Sequence, residues 1–162
     1  MNIVLLEPEI PQNTGNIGRT CMVSGNTLHL VGPLGFSVDD KYLKRSGLDY
    51  WSELEVHYYH DFDDFVSVNN ATRLYMATTK ARQLYTDVCY SNDDCIVFGK
   101  ESAGIPEELL LKYRDTAIRI PMLPDRRSLN LSSSVAIVVY EAMRQQNFAG
   151  MQIEGALHKY RW

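Results

Sequence analysis

Three short stretches of this chain place amides, hydroxyls, glycines and one guanidinium at spacings suited to holding a ligand. The first is Asn13-Thr-Gly-Asn-Ile-Gly-Arg19. Gly15 permits close approach of another backbone, and Arg19 presents a rigid fork that matches a phosphate or a carboxylate. A lone arginine can equally close a surface ion pair. The second stretch is Phe98-Gly-Lys-Glu-Ser-Ala-Gly-Ile-Pro106. Gly99 and Gly104 tolerate positive φ and so allow a bent loop, while Glu101 can accept from backbone amides or from a ligand hydroxyl. The third joins Ile120-Pro-Met to Ser128-Leu-Asn-Leu-Ser132. Ser128, Asn130, Ser132, Ser133 and Ser134 stand before an apolar-faced helix, whose first N–H groups lie at the positive end of its dipole. Plain capping would also explain the serines. No nucleotide fingerprint is present, because both G-x-G-x-x-G and the P-loop spacing fail.

The elements that must position these stretches follow from periodicity. Ile3 to Leu6 is a wholly apolar run, as in a buried parallel strand. A two-proline loop follows, and Asn13 or Thr14 is expected to cap a helix ending near Gly25-Asn26. Further strands are expected at Thr27 to Val31, Leu54 to Tyr59, Leu74 to Thr78, Ile96 to Phe98 and Ala117 to Ile120. Helices are expected from Asp39 to about Gly47, over Asp61 to Val68, and over Pro106 to Tyr113 with proline at its first position. Gln83 to Asp94 reads as irregular. The last helix is the clearest: Val135, Val138, Val139, Ala142 and Met143 recur at i, i+3, i+4, i+7 and i+8. Strands alternating with helices predict an α/β fold around a largely parallel sheet, with ligands at the carboxyl ends of the strands.

The totals bound the function. At 162 residues, 45% hydrophobic and 22% charged, the chain has the size and composition of a single soluble domain spanning residues 1–162. Cys21, Cys89 and Cys95 form no C-x-x-C, so reduced thiols are expected rather than disulfides or zinc. The first residues turn acidic after four apolar ones, which does not fit a signal peptide, and no run approaches the ~20 apolar residues of a membrane span. A cytoplasmic protein without metal is expected. The net charge of −4 means that any nucleic acid must be held by local patches.

Taken in order, the three stretches resemble the SPOUT methyltransferases, and most closely their branch of small tRNA (cytidine/uridine-2′-O-)-methyltransferases acting at wobble position 34. The likeness runs from Asn2 to about Gln146 and includes Pro8-Glu-Ile-Pro, Pro33-Leu-Gly-Phe and Gly47-Leu-Asp-Tyr50. The segment after Phe148 does not match. The resemblance implies a deep C-terminal trefoil knot formed by the loops beginning at Gly99 and Met122, although knots are nearly absent from proteins at large. It implies S-adenosylmethionine held by Ala77, Gly99, Ile120, Ser128 and Leu129. It gives Arg19 and Tyr140 catalytic roles, though a guanidinium with pKa above ~12 is a better phosphate clamp than a base. A tyrosine at position 140 could also be a buried helix residue bonded to backbone.

The resemblance further implies a homodimer with tRNA as partner, leucine isoacceptors being the expected substrates. On the substrate side stand Asn13, Arg126, Arg127, and the trio Lys41, Lys44 and Arg45 on one helix face. A solvated face is the ordinary account of such a trio, but an acidic protein that holds RNA needs cations of this kind. The rival expectations are a ribosomal-RNA methyltransferase of the same fold and a non-catalytic dimer that binds an adenosine compound.

Overall fold

Alternation along β1 (Asn2–Leu6) sets the architecture. Ile3 and Leu5 point into one apolar cluster while Val4 and Leu6 point into another, as the two-residue period of a strand requires. A strand covered on both faces belongs in the middle of a sheet with helices on each side. The computed structural model, which describes residues 1–37, 51, 53–69 and 73–162, has that form.

Around β1 lie β2 (Thr27–Val31), β3 (Val56–Tyr59), β4 (Leu74–Ala77), β5 (Gln83–Leu84), β6 (Cys95–Phe98) and β7 (Ala117–Arg119), in the order β3-β2-β1-β6-β4-β7-β5. Every pairing between these strands is parallel; Asn2 is opposite Thr27 on one side and Cys95 on the other. The expected mostly parallel sheet is therefore present. One cluster is covered by α1 (Pro11–Ser24) and α4 (Leu131–Gln145), which contribute Ile17, Cys21, Val135, Val138, Val139 and Ala142. The other is covered by α2 (Phe62–Val68) and by residues of α3 (Glu107–Lys112), with Phe65 fully buried.

Several expectations shift. α1 begins at Pro11, not at Asn13 or Thr14, because proline already holds the φ of a first helical turn. Ile10 occupies the capping position without a side-chain bond, and the Asn13 amide is used elsewhere. Its other end matches expectation: Gly25 at φ 66 turns the chain out, with Asn26 N–H bonding the Cys21 carbonyl. Gln83–Leu84, inside the stretch expected to be irregular, pairs with Ile118 and Arg119 as an edge strand too short to show a period. Pro106 precedes α3 rather than opening it. Ser132, Ser133 and Ser134 lie within the first turn of α4, whose cap is Asn130. The helix expected from Asp39 to Gly47, with Lys41, Lys44 and Arg45, lies outside the described residues. Among the described residues, no helix is long and apolar enough to cross a membrane, and no group of histidine, cysteine or carboxylate side chains is arranged to hold a metal ion.

A buried imidazole anchors β2 to its neighbours. His29, 4% exposed, donates from Nε2 to Asn2 Oδ1 at 3.1 Å and accepts at Nδ1 from the Tyr59 hydroxyl at 2.9 Å. Burial pushes this imidazole down from 6.5 to about 4; nearby His57 acts in the same direction and Glu55 opposes it. Below pH 6.5 the unfolded chain binds a proton that the folded chain refuses. Stability is therefore complete above that pH and falls as pH drops towards 4, by ~3 kcal/mol if His29 acts alone. Urea titrations at pH 7 and pH 4.5 are expected to show this loss in the native chain and a smaller one in His29→Gln. Equal losses in both would dismiss His29 as the cause.

Candidate active site

The carboxyl ends of β4, β6 and β7 are adjacent, and each runs straight into a loop. Those loops, with the start of α4, enclose a cleft of about 420 Å3. Its size is that of a small-molecule site. Ala77 to Lys80 line it from β4, Gly99 to Ile105 from β6, and Ile120, Met122 and Ser128 to Leu131 from the segment after β7. All five positions expected at the cofactor, Ala77, Gly99, Ile120, Ser128 and Leu129, are therefore in one cleft.

The cleft is braced by a relay of side chains. The Glu101 carboxylate accepts from the Glu9 amide at 2.9 Å, the Ile10 amide at 3.3 Å and Asn13 Nδ2 at 2.9 Å. Asn13 Oδ1 in turn accepts from Asn130 Nδ2 at 3.0 Å. Asn130 Oδ1 then caps α4, accepting from the amides of Ser132 at 2.9 Å and Ser133 at 3.4 Å. Three loops remote in sequence are thus fixed by one chain of bonds, whose links through Asn13 are partly buried. Glu101 meets backbone amides, one of the two uses its chemistry allowed. Asn13 lines the cleft but is 6% exposed, and both ends of its amide are engaged within the protein.

Two further contacts close the same seam. Lys100 Nζ pairs with Glu7 at 2.7 Å, and Glu7 raises the lysine pKa above its ordinary value. The Ser102 hydroxyl and amide both donate to Glu9, holding its carboxyl below the usual range.

The glycines of the second stretch have different tasks. Gly104 has φ +71 and supplies the bend. Gly99 does not need positive φ. A Cβ there would overlap the backbone of Gly104 and Ile105, so its bare Cα lets the loop fold back on the strand end. This backbone closure shapes the cradle that Gly99 lines.

Arg19 and Tyr140 are not in this cleft. Arg19 is exposed on α1, beside Asn16 and in line with Gln12 and Val23. Tyr140 is 43% exposed on α4, in line with Ile137 and Arg144, so it is not a buried helix tyrosine. α1 packs on α4, which places the two exposed stripes on neighbouring helices. Arg126 and Arg127 are exposed in the loop between Met122 and Ser128, at the rim. Sequence reasoning missed Thr78, Thr79, Lys80 and Tyr85 on the cleft wall. The available signal was a run of small polar residues directly after a strand. Glu7 and Glu9 gave no signal, since their partners lie far along the chain.

The model of the SpoU rRNA Methylase family matches residues 1–140. The tRNA (cytidine(34)-2'-O)-methyltransferase of Escherichia coli (strain K12) is 47% identical over 151 residues, covering 93% of this chain and 96% of the relative. A solved structure concerned with the 2-OH methylation of C/U34 on tRNA is 36% identical, with a TM-score of 0.86 over 91% of this chain and 96% of that one. The fold recurs at 24% identity and TM-score 0.78 in an AdoMet-bound rRNA methyltransferase from Sinorhizobium meliloti, over 88% of this chain and 55% of that one.

Proposed function

We propose, from the premise that the chain belongs to the SpoU rRNA Methylase family, that it methylates the ribose 2′-hydroxyl of tRNA nucleotide 34 with S-adenosylmethionine as donor. The observation that carries the reading is the convergence of Ala77, Gly99, Ile120, Ser128 and Leu129 on one cleft of suitable size. The choice of the wobble nucleotide follows the 47% identical relative.

When bound, S-adenosylmethionine supplies a methyl group already activated on sulfur. The chain's own task is then alignment and water exclusion. Ile120, Leu129 and the backbone of the Gly99 loop form the wall that fixes the donor. Arg126 and Arg127 at the rim, and the trio Lys41, Lys44 and Arg45, hold the phosphates of an RNA that the net charge of −4 would otherwise repel. Asn13 serves the substrate indirectly, by fixing the α1 entrance through Glu101 and Asn130. Arg19 acts as a phosphate clamp, since a guanidinium keeps its proton in a protein.

Arg19 and Tyr140 reach a reacting ribose from a second copy of the chain. Their stripes, with the exposed apolar Val23 and Ile137, form a face on α1 and α4 suited to a two-fold interface. The reading includes the C-terminal trefoil knot, a homodimer and a cytoplasmic location, where tRNA is modified. The test is transfer of labelled methyl to total tRNA, followed by mapping of the labelled nucleotide. Label is expected on nucleotide 34, in leucine isoacceptors. Label only on other nucleotides, or none, would overturn the proposal.

A further inference from the structure

We infer that the segment from Met151 to Trp162 is a second RNA contact, stacking unpaired bases of the tRNA on Tyr160 and Trp162 and pairing its phosphates with Lys159 and Arg161. The inference rests on the tRNA substrate proposed above but concerns residues outside the family match, which ends at residue 140.

The observations begin where α4 stops. Asn147 at φ 53, Phe148 at φ 51 and Gly150 at φ 79 turn the chain, and the Phe148 amide bonds the Met143 carbonyl. Beyond Met151 the segment joins no helix or strand. Its side chains nevertheless include the two most exposed aromatic rings among the described residues, Trp162 at 92% and Tyr160 at 77%. Such rings normally find cover, because removing aromatic surface from water is favourable.

The order of the residues identifies what would cover them. His158-Lys-Tyr-Arg-Trp162 alternates cations and rings, and residues 155–162 contain no aspartate or glutamate. Neither Lys159 nor Arg161 forms an ion pair with another described residue. Single-stranded nucleic acid presents the complementary alternation of phosphates and flat π-faces, and base stacking on such rings is sequence-tolerant. In a chain of net charge −4, a local cationic segment is also what a polyanion needs. Reach does not forbid it. α4 lines the cleft with its first turns and then leads away, and an extended segment of this length spans ~40 Å.

The test compares the full chain with Tyr160→Ala/Trp162→Ala and with Lys159→Ser/Arg161→Ser. Removing the rings is expected to weaken tRNA binding about tenfold or more. Removing the cations should lower the slope of log affinity against log salt by about 1.4. Both variants should raise KM for tRNA while leaving kcat and S-adenosylmethionine affinity unchanged. Trp162 emission should be quenched by tRNA, read as the difference between the native chain and Trp162→Phe because Trp51 also emits. Native-like tRNA affinity and salt slope in both variants would overturn the inference and leave the proposed methyl transfer standing. A variant that becomes monomeric by light scattering would overturn it too, since a second copy would then be what covers the rings. A native chain that neither binds nor methylates tRNA would remove the proposed function, and this inference with it.

Discussion

Gly99→Ala is expected to weaken S-adenosylmethionine binding about a hundredfold while leaving the far-ultraviolet spectrum intact. The added carbon would overlap the Gly104 and Ile105 backbone, which cannot rotate away as a long side chain can. The loop must open by moving residues that line the cleft, and overpacking of this kind costs ~1–3 kcal/mol, the upper end matching a hundredfold. The strand beneath is buried on both faces and keeps its pairings with β1 and β4, so the sheet should survive. Gly104→Ala is the natural control. Its Cβ would meet nothing within 4 Å, but its φ of +71 makes the change cost ~1 kcal/mol, a few-fold effect. Calorimetric titration of both variants decides the matter: unchanged affinity in Gly99→Ala would reject the backbone-closure account of the cleft.

Mixed dimers of Arg19→Ala and Gly99→Val chains are expected to regain about one quarter of the native methyl transfer that each variant lacks alone, the branched side chain at Gly99 closing the cleft outright. Arg19 is exposed on α1 and absent from the cleft of its own chain, which motivates a site completed by a second copy. In a heterodimer, the intact cleft of one chain meets the intact Arg19 of the other, and the opposite site has neither. Random pairing makes half the dimers mixed and half their sites whole, hence the quarter. The variants are mixed by co-expression or by reversible unfolding, and activity on tRNA is measured after heterodimers are demonstrated by mass. An inactive mixture that contains heterodimers would reject completion across the interface.

What the sequence discloses depends on how local the physics is. Thr27–Val31 appears as a strand with its expected bounds because a short apolar run between a glycine turn and a glycine-proline pair is decided by its own residues. The buried face of α4 likewise follows from spacing alone: Val135, Val138, Val139 and Ala142 are all buried. The second and third stretches were legible as ligand loops because glycine and small polar residues at strand ends have few other uses, whereas the first lies within α1 and brings only Asn13 to the cleft. The Glu101–Asn13–Asn130 relay was not legible. Each member has an ordinary local role, and the bonds that join them cross most of the chain. The same holds for the start of α1, where Asn13 satisfies every local rule for a cap but is drawn off by Glu101. Edge strand β5 escaped for the opposite reason, since two residues cannot display a period.

The order of strands in the sheet also fixes a timetable for synthesis. β1 emerges first, yet one of its two neighbours, β6, begins only at Cys95. Until the ribosome has translated that far, the wholly apolar Ile3 to Leu6 has one flank unpaired. Pairings so distant along a chain close slowly, and sheets dominated by them fold in milliseconds to seconds rather than microseconds. The loops around the cleft come later still, because Asn130 must be made before it can reach Asn13. The nascent chain therefore carries a sticky strand until β6 has been made, a period in which a chaperone that shields short apolar strands would raise the yield of native protein.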